Sequence, residues 1–586
     1  MTTIIILIGL GLYVALYYTY GKKVERDVVK ANDSAETPAK RLFDGIDFVP
    51  ARREVLLGHH FASIAGAAPI VGPAIAMAWG WVPGLLWVWF GNIFVGAIHD
   101  YLALMASIRY DGKSIQFVAS DLMGKRTGKS FYGIVFVLLL LIVAAFSAIV
   151  GKMFVADGAI ASAFLWLIVA AVIFGFLVYR TKTNYTLATL IGLGMVVASV
   201  WLGVVLPVQA SYDTWLAAFF VYIIVASALP VNLLLQPRDY LNSFLLYAGL
   251  AIGLVAAVFA VGSFEVPAFS SFAPTLIGGQ PTPFWPAIPL VIACGALSGF
   301  HSLVASGTTS KQISRESDAL PIGMGSMFLE GFLSTIVIVS IAGFGYTAIK
   351  NAGVAMNVPI DLTAENWSTT FTSASTSVQL SQANLFIQSY SDMIASTWLG
   401  FIPAALVTVL AGMWVSSFAM TTLDTANRLG RYCMVEICAP LQERNASLYW
   451  FLTNRWVASL VPAAVGIYLA WSGNWLIVWG AAGAANQLIA AIALMTGAAY
   501  VAKRLKSRFS NVALVPALLL WITVFCGSIW MLVVVMPGEI ASNPGAGWPV
   551  TVMISVMVIF NIVFILDFLK AYFGKEAPAP ADTVKV

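Results

Sequence analysis

Two clusters in this chain, and a few isolated carboxylates, carry the residue types and spacings that could do chemistry. The first begins at His59-His60 and continues through Ala65-Gly66-Ala67-Ala68-Pro69-Ile70-Val71-Gly72-Pro73-Ala74. Proline lacks a backbone N–H and clashes with the carbonyl four residues back. Pro69 and Pro73, set among glycines in an apolar run, therefore predict an open turn near the middle of a membrane span. Unwound backbone inside a bilayer is tolerated only where protein or a water-filled cavity surrounds it, and transporters use such breaks to hold substrates and coupling ions. Freed carbonyls can meet a cation, and the helix start at Gly72-Pro73 offers its positive dipole end to a carboxylate. Gly66, Ala67, Pro69, Gly72 and Pro73 are thus candidate substrate-binding residues. A kinked helix packed tightly on small residues is the alternative.

The second cluster is Ser298-Gly299-Phe300-His301-Ser302-Leu303-Val304-Ala305-Ser306-Gly307-Thr308-Thr309, apolar overall but studded with hydroxyls. Ser298, Ser302, Ala305 and Thr309 recur at helical spacing, so three hydroxyls and His301 share about one face. Hydroxyl oxygens suit a small hard cation or the polar end of a substrate, which makes Ser298 and Ser302 candidates beside the first cluster. Membrane Ser and Thr also bond their own helix or pack on a neighbour, and the two readings stand side by side.

Ionisable and amide groups in apolar segments are costly in lipid and face cavities or partners. Asn92 is a candidate substrate contact. Asp100 and Asp424 are candidates for carrying a coupling proton, with pairing to Arg109 or Arg428 as the structural alternative. Glu330 and Asn486-Gln487 also fall in apolar segments, and Lys152 is expected to snorkel. All four histidines lie in such segments. His59, His60, His99 and His301 fall at broadly similar depth in the cytoplasmic half, where imidazoles on neighbouring helices could bind a metal ion or haem, or relay protons. The plainer reading is separate hydrogen bonds, so no cofactor is required.

These residues need helices to position them. The chain has 586 residues, 60% hydrophobic and 10% charged, where a soluble domain carries about 25% charged residues. With a mean hydropathy of +0.88, that composition predicts an all-α, multi-pass membrane protein in the bilayer, with no nucleic-acid partner. Apolar runs of suitable length give about fifteen segments, centred near residues 11, 68, 95, 142, 169, 195, 224, 251, 297, 336, 409, 461, 486, 523 and 559. Arg52, Arg53, Lys125, Arg126, Arg431, Lys503 and Arg504 fall in alternate loops. That alternation predicts an N-terminus outside and a C-terminus inside. Met1–Tyr20 lacks a basic start and a cleavage site and is read as a retained first helix. The polar 350–396 loop is expected to form an external cap, partly helical, and the 575–586 tail to be disordered. Four cysteines suggest no disulfide framework. The absence of a phosphate-binding loop argues against an ATP-driven pump, and no potassium-channel filter pattern is present.

The run from Gly58 to Ala74, the stretch Asn92-Ile93-Phe94-Val95-Gly96-Ala97-Ile98-His99-Asp100, and Ser298 to Thr309 resemble the carbon starvation protein A family. That resemblance implies import of short peptides and, in some members, pyruvate, driven by protons, in the cytoplasmic (inner) membrane of a bacterium. It also implies a distant place in the amino acid–polyamine–organocation superfamily, whose fold is a LeuT-like pair of inverted five-helix repeats. Mapped onto this chain, residues 1–54 hold the first helix and a basic loop, and 55–424 hold the transport core. The repeats within that core span 55–206 and 213–424, and 425–574 adds a cytoplasmic loop and four helices. The second segment becomes the first core helix, and the seventh, with Pro230 and Asn232, its partner. The ninth becomes the eighth core helix, which supplies hydroxyl ligands in sodium-coupled relatives; Ser306, Thr308 and Thr309 match that expectation in kind.

The expected function is secondary active transport of short peptides or pyruvate by alternating access, with a proton or sodium ion as coupling partner. A membrane redox or metal-binding protein using the histidines is the alternative, and a gated channel a third possibility. No acidic partner for a peptide amine lies level with the break, which leans toward pyruvate; the family name leans toward peptides.

Overall fold

The computed structural model describes residues 1–574 apart from 46, 182 and 230–233; the side chains of 179, 236 and 436 also lie outside the description. Its regular structure is helical, and one isolated bridge between Thr275 and Pro281 is the only strand-like pairing among the described residues. The major helices are, in order, α1 (Thr2–Val29), α2 (Arg53–Ile64), α3 (Ala68–Trp79), α4 (Trp81–Arg109), α5 (Lys125–Ala156), α6 (Gly158–Val178), α7 (Tyr185–Val205) and α8 (Tyr212–Ala228). They continue with α9 (Pro237–Phe259), α10 (Phe284–Val291), α11 (Gly299–Gly307), α12 (Glu316–Met356), α13 (Trp367–Ser377) and α14 (Gln382–Ala395). The last five are α15 (Ala404–Val435), α16 (Arg455–Ser472), α17 (Trp475–Arg504), α18 (Asn511–Ser542) and α19 (Pro544–Phe573).

Eleven of these are long and apolar enough to cross a membrane, or twelve if α2 and α3, bent by 49° at their junction, count as one span. Every predicted centre lies on one of the helices or, for the ninth, at the gap between α10 and α11. The centres beyond the eleven are informative. The second segment is the bent α2–α3 pair, the seventh is α8 with 17 residues, the ninth is split into α10 and α11, and the twelfth is α16 with 18 residues. Pro230 and Asn232, expected to interrupt the seventh segment, lie outside the described residues, as does the 575–586 tail.

The core gathers on α17, whose apolar window is completely buried, with α12 and α5 next at 89% and 83%. Composition explains the first. The run Gly480-Ala481-Ala482-Gly483-Ala484-Ala485 gives α17 a face without bulk, and small faces let helices approach backbone to backbone in lipid. A Cβ on Gly299 at the start of α11 would meet the backbone nitrogen of Ala490 at 2.7 Å. By contrast α1, α7 and α19 bury only about a third of their windows, and they form the periphery. The 350–396 region folds back on the bundle. It carries α13 and α14, and Trp367 is buried there with its indole N–H donating to the Met77 carbonyl at 2.8 Å.

Candidate functional site

Two interrupted helices face each other at the centre of the molecule. The chain leaves α2 at Ala65 (φ −78°, ψ 68°), passes Gly66 and Ala67, and restarts as α3 with Pro69 in its first turn. Proline is suited there because a first-turn N–H has no helical partner. The helix start expected at Gly72-Pro73 is thus four residues earlier, because Pro69 already fits the first turn; Pro73 is inside α3, and the carbonyl four residues before it, that of Pro69, loses its donor. The Ser334 hydroxyl of α12 supplies one at 2.7 Å. Gly72 packs on the other break, where an added Cβ would sit 2.5 Å from the Val291 carbonyl oxygen and 2.9 Å from Ile292 Cα.

The break between α10 and α11 is held from outside by side chains. Gln487 donates to the carbonyls of Pro289 (2.9 Å) and Leu297 (3.2 Å), Trp479 to Val291 (3.2 Å), Asn486 to Ala293 (2.8 Å) and Asn92 to Gly295 (2.9 Å). Alternate carbonyls from 289 to 297 are thereby satisfied without water, as unwound backbone at membrane depth requires. The Asn486 carbonyl oxygen also accepts from the Phe300 N–H at 3.0 Å and caps the start of α11. Asn92 opens a π-helical turn, Asn92–Gly96, inside α4, an irregularity frequent at functional sites.

Between the two breaks lies a small cavity of about 40 Å³. Gly66 and Ala68 line it from the first break, Cys294 and Ser298 from the second, Thr422 from α15 and Asn486 from α17. The walls are otherwise apolar, with Phe146 and Trp479 as the aromatic surfaces. In this conformation the space has room for a few water molecules.

The candidates separate by role. Gly66 and Ser298 border the cavity, while Ala67, Pro69, Gly72 and Pro73 are buried and shape its wall. Asn92 is absent from the lining and instead bridges the carbonyls of Gly295 and Met327. Ser302, Ser306 and Thr308 donate to carbonyls of their own helix, those of Gly299, Ser302 and Val304. The Thr309 hydroxyl pairs with His60 Nδ1 at 2.8 Å.

The histidines do not form one set. His59 is exposed, His60 is taken by Thr309, and His99 and His301 meet at Asp100. His99 Nδ1 lies 2.7 Å from one Asp100 oxygen and His301 Nδ1 2.9 Å from the other. Asp100 is therefore committed to two imidazoles, not to Arg109, which pairs with Glu316 instead. Asp424 likewise has a different partner from Arg428. It pairs with Arg238 of α9, both side chains fully buried, and accepts from the Tyr222 hydroxyl at 3.1 Å. Arg238 also bonds Asp239 at 3.0 Å, and Thr421 donates to Asp239 at 3.0 Å. The Lys152 ammonium lies 5.1 Å from the Trp475 ring centre and borders a second cavity of about 320 Å³ with Gln379 and Gln382 of the 350–396 region.

Sequence reasoning did not identify Cys294, Glu330, Arg238 or Asn486 as site residues. Glu330 and Asn486 carried a signal, as polar groups in apolar segments; Cys294 and Arg238 acquire their roles only through contacts distant in sequence.

A family model described as Carbon starvation protein CstA matches residues 1–527. The chain is 32% identical to "Peptide transporter CstA" of Bacillus subtilis (strain 168), over 97% of this chain and 96% of that one. It is 30% identical to "Peptide transporter CstA" of Escherichia coli (strain K12), covering 87% and 78% respectively. It is 29% identical to "Pyruvate/proton symporter BtsT" of the same organism, covering 88% and 80%. With the family model spanning nine-tenths of its length, the chain belongs to the carbon starvation protein CstA family.

Proposed function

We propose that this protein is a proton-coupled symporter importing small carboxylate-bearing substrates, short peptides or pyruvate, by alternating access. The observation that carries the reading is the cavity enclosed between two facing helix breaks. The first turn of α3 borders it, and although Pro69 has no N–H and those of Ile70 and Val71 donate to the Ala67 carbonyl, the Ala68 N–H and the helix dipole offer a carboxylate the positive end of a helix. Ser298 and Thr422 add hydroxyls, and Phe146 and Trp479 take an apolar remainder. The names of relatives, peptide transporter and pyruvate/proton symporter, fit a site of this chemistry once alternating access widens it.

Coupling falls to Asp424 and the residues around it. Arg238 brings one positive charge to two carboxylates, Asp424 and Asp239, so the group is one proton short of neutrality. Asp239 is partly exposed and gives water a route in, whereas Asp424 is sealed. Helix α15 links this group to the cavity, because Thr422 lines the cavity while Thr421 and Asp424 touch the ion pairs. Protonation releases part of the hold on Arg238, which lets α15 and α9 move against the cavity wall. Asp100, held between two imidazoles, serves as a positioning group.

The protein sits in the inner membrane with its N-terminus outside, its C-terminus inside and about fifteen membrane segments. Its core is read as inverted repeats of the LeuT-like kind. The two interrupted segments that meet are the second and the ninth, seven apart; an odd separation reverses direction, as inverted partners require. The five-helix division at 55–206 and 213–424 places the second interruption at Pro230 and Asn232 instead. Lys152, at the outer end of α5, is the first cation that an entering carboxylate meets.

Purified protein in proteoliposomes tests the reading. Labelled pyruvate and dipeptides should enter saturably, faster with an inward proton gradient, and each should compete with the other. Uptake indifferent to both proton and sodium gradients would defeat coupling, and entry of neither substrate would defeat the substrate class.

A further inference from the structure

Beside the cavity, a group of buried side chains has the composition of a metal centre. Cys294 lies in the break of the ninth segment, His301 in the first turn of α11, and Glu330 on α12. One ligand atom from each, a thiol sulfur, an imidazole nitrogen and a carboxylate oxygen, can be chosen so that all lie within 4.8 Å of one another. His301 and Glu330 are fully buried, yet His301 Nε2 and both Glu330 oxygens have no hydrogen-bond partner. A buried carboxylate with neither oxygen satisfied is costly, and a cation between these atoms removes that cost.

The spacing fits. His301 Nε2 and Glu330 Oε2 are 3.4 Å apart, and two ligands about 2.1 Å from a tetrahedral zinc ion stand about 3.4 Å from each other. The imidazole is also correctly oriented. Its Nδ1 faces the Asp100 carboxylate at 2.9 Å, and in the neutral tautomer that donates from Nδ1 the Nε2 lone pair is left facing Glu330. A carboxylate behind a histidine in this manner is the usual support of a metal ligand, and His99 Nδ1 secures the far oxygen of that carboxylate at 2.7 Å. Thiolate, imidazole and carboxylate together select a borderline-soft divalent ion over magnesium or calcium.

We propose that Cys294, His301 and Glu330 bind a zinc-class divalent metal ion, with Asp100 and His99 holding the His301 ring in its ligating orientation. The ion would fasten the interrupted ninth segment, within its gap and at the start of α11, to α12. This site differs from a four-histidine one, since His59 and His60 take no part. It stands independently of the transport reading, because its test measures metal and not flux.

The experiment uses full-length protein purified in detergent with a tag free of histidine, and counts metals by mass spectrometry. About one zinc per chain is expected in the wild type and in His59→Gln, whose side chain is exposed, and zinc at background in Cys294→Ser and Glu330→Gln. Asp100→Asn should weaken retention 10- to 100-fold in competition with a chelator. Because a variant may fail to fold, the wild type itself is then stripped and reloaded with cobalt(II), which should give a thiolate-to-cobalt charge-transfer absorption. Zinc at background together with no such absorption in stable wild type overturns the site. Zinc unchanged in both Cys294→Ser and Glu330→Gln overturns it too, by placing the ion elsewhere.

Discussion

Replacing Gly72 by alanine tests whether the two broken helices really meet backbone to backbone. The new methyl would land 2.5 Å from the Val291 carbonyl oxygen, 2.9 Å from Ile292 Cα and 3.3 Å from the Val291 carbonyl carbon. Real Cβ contacts essentially never fall below 3.0 Å, so the carbonyl must retreat by about half an ångström. It is not free to do so, because the Trp479 indole holds that oxygen at 3.2 Å and Gln487 fixes Pro289 two residues before it. Overpacking of this kind costs about 1–3 kcal/mol, against a gain of about 0.5–1 kcal/mol for alanine over glycine inside a helix. The net lies between about zero and a loss of about 2.5 kcal/mol, centred near a loss of about 1 kcal/mol. Gly194→Ala is the matched control: nothing lies within 4 Å of its added methyl, so only the gain applies. Thermal unfolding in detergent should show Gly72→Ala melting below wild type and Gly194→Ala at or above it. The displaced carbonyl adjoins the cavity wall, and if the same strain is felt in the transport cycle, about 1.4 kcal/mol corresponds to a tenfold slower initial uptake. Gly72→Ala as heat-stable as Gly194→Ala, with uptake intact, would refute the close contact and the held break together.

Three further outcomes are expected. Asp424→Asn leaves Arg238 with Asp239 alone; removing one partner of a buried pair costs up to about 3–5 kcal/mol, and proteoliposomes should lose gradient-driven accumulation while retaining substrate exchange. Persistence of accumulation would remove Asp424 from coupling, and the double replacement Arg238→Met with Asp424→Leu should recover heat stability but not accumulation. Lys152→Met should raise the KM for pyruvate several-fold with little change in maximal rate, whereas Lys152→Arg should stay near wild type; a change confined to maximal rate would contradict an entry role. In α14, burial holds the Asp392 carboxyl above the usual carboxylate range, with Gln388 donating to it and lowering it and Glu265 raising it. Because its folded value exceeds its unfolded one, the ionised form opposes folding at neutral pH, and the penalty fades as pH falls through the raised value. Asp392→Asn should therefore melt above wild type at pH 7, with the difference closing as pH approaches about 4; a difference that widens on acidification would reverse the assignment.

What could be read in the sequence was local. Glycine and proline act on their own backbone, so an interruption of the second segment was visible without a neighbour, although the helix restarts at Ala68 and not at Gly72-Pro73; the apolar runs gave the helices for the same reason. The ninth segment was harder. Its hydroxyls drew attention by spacing, yet Ser302, Ser306 and Thr308 bond their own helix, a pairing that hydroxyls in apolar helices adopt readily. The chemistry lies instead in what the gap exposes, the carbonyls from 289 to 297 and the thiol of Cys294. Nothing in the order of those residues announces a gap beyond Pro289, since the amides that hold it open, Asn92, Asn486 and Gln487, are remote in the chain.

The histidines make the same point more sharply. Equal depth along separate helices fixes only one coordinate, and rotation about each helix axis fixes the rest. His60 and His301 turn to different partners, Thr309 and Asp100. Asp100 could be read as an ionisable group in an apolar helix, but not as the acceptor of two imidazoles, one of them 201 residues away. That double acceptance decides its role. A carboxylate engaged by two ring nitrogens has little freedom to exchange a proton with bulk water, whereas Asp424 borders a partly exposed second acid and keeps one oxygen unpartnered. The geometry thus separates two buried carboxylates that looked equivalent in sequence: both oxygens of Asp100 face imidazoles, while Asp424 keeps one oxygen unpartnered beside Arg238, as the proposed coupling role requires.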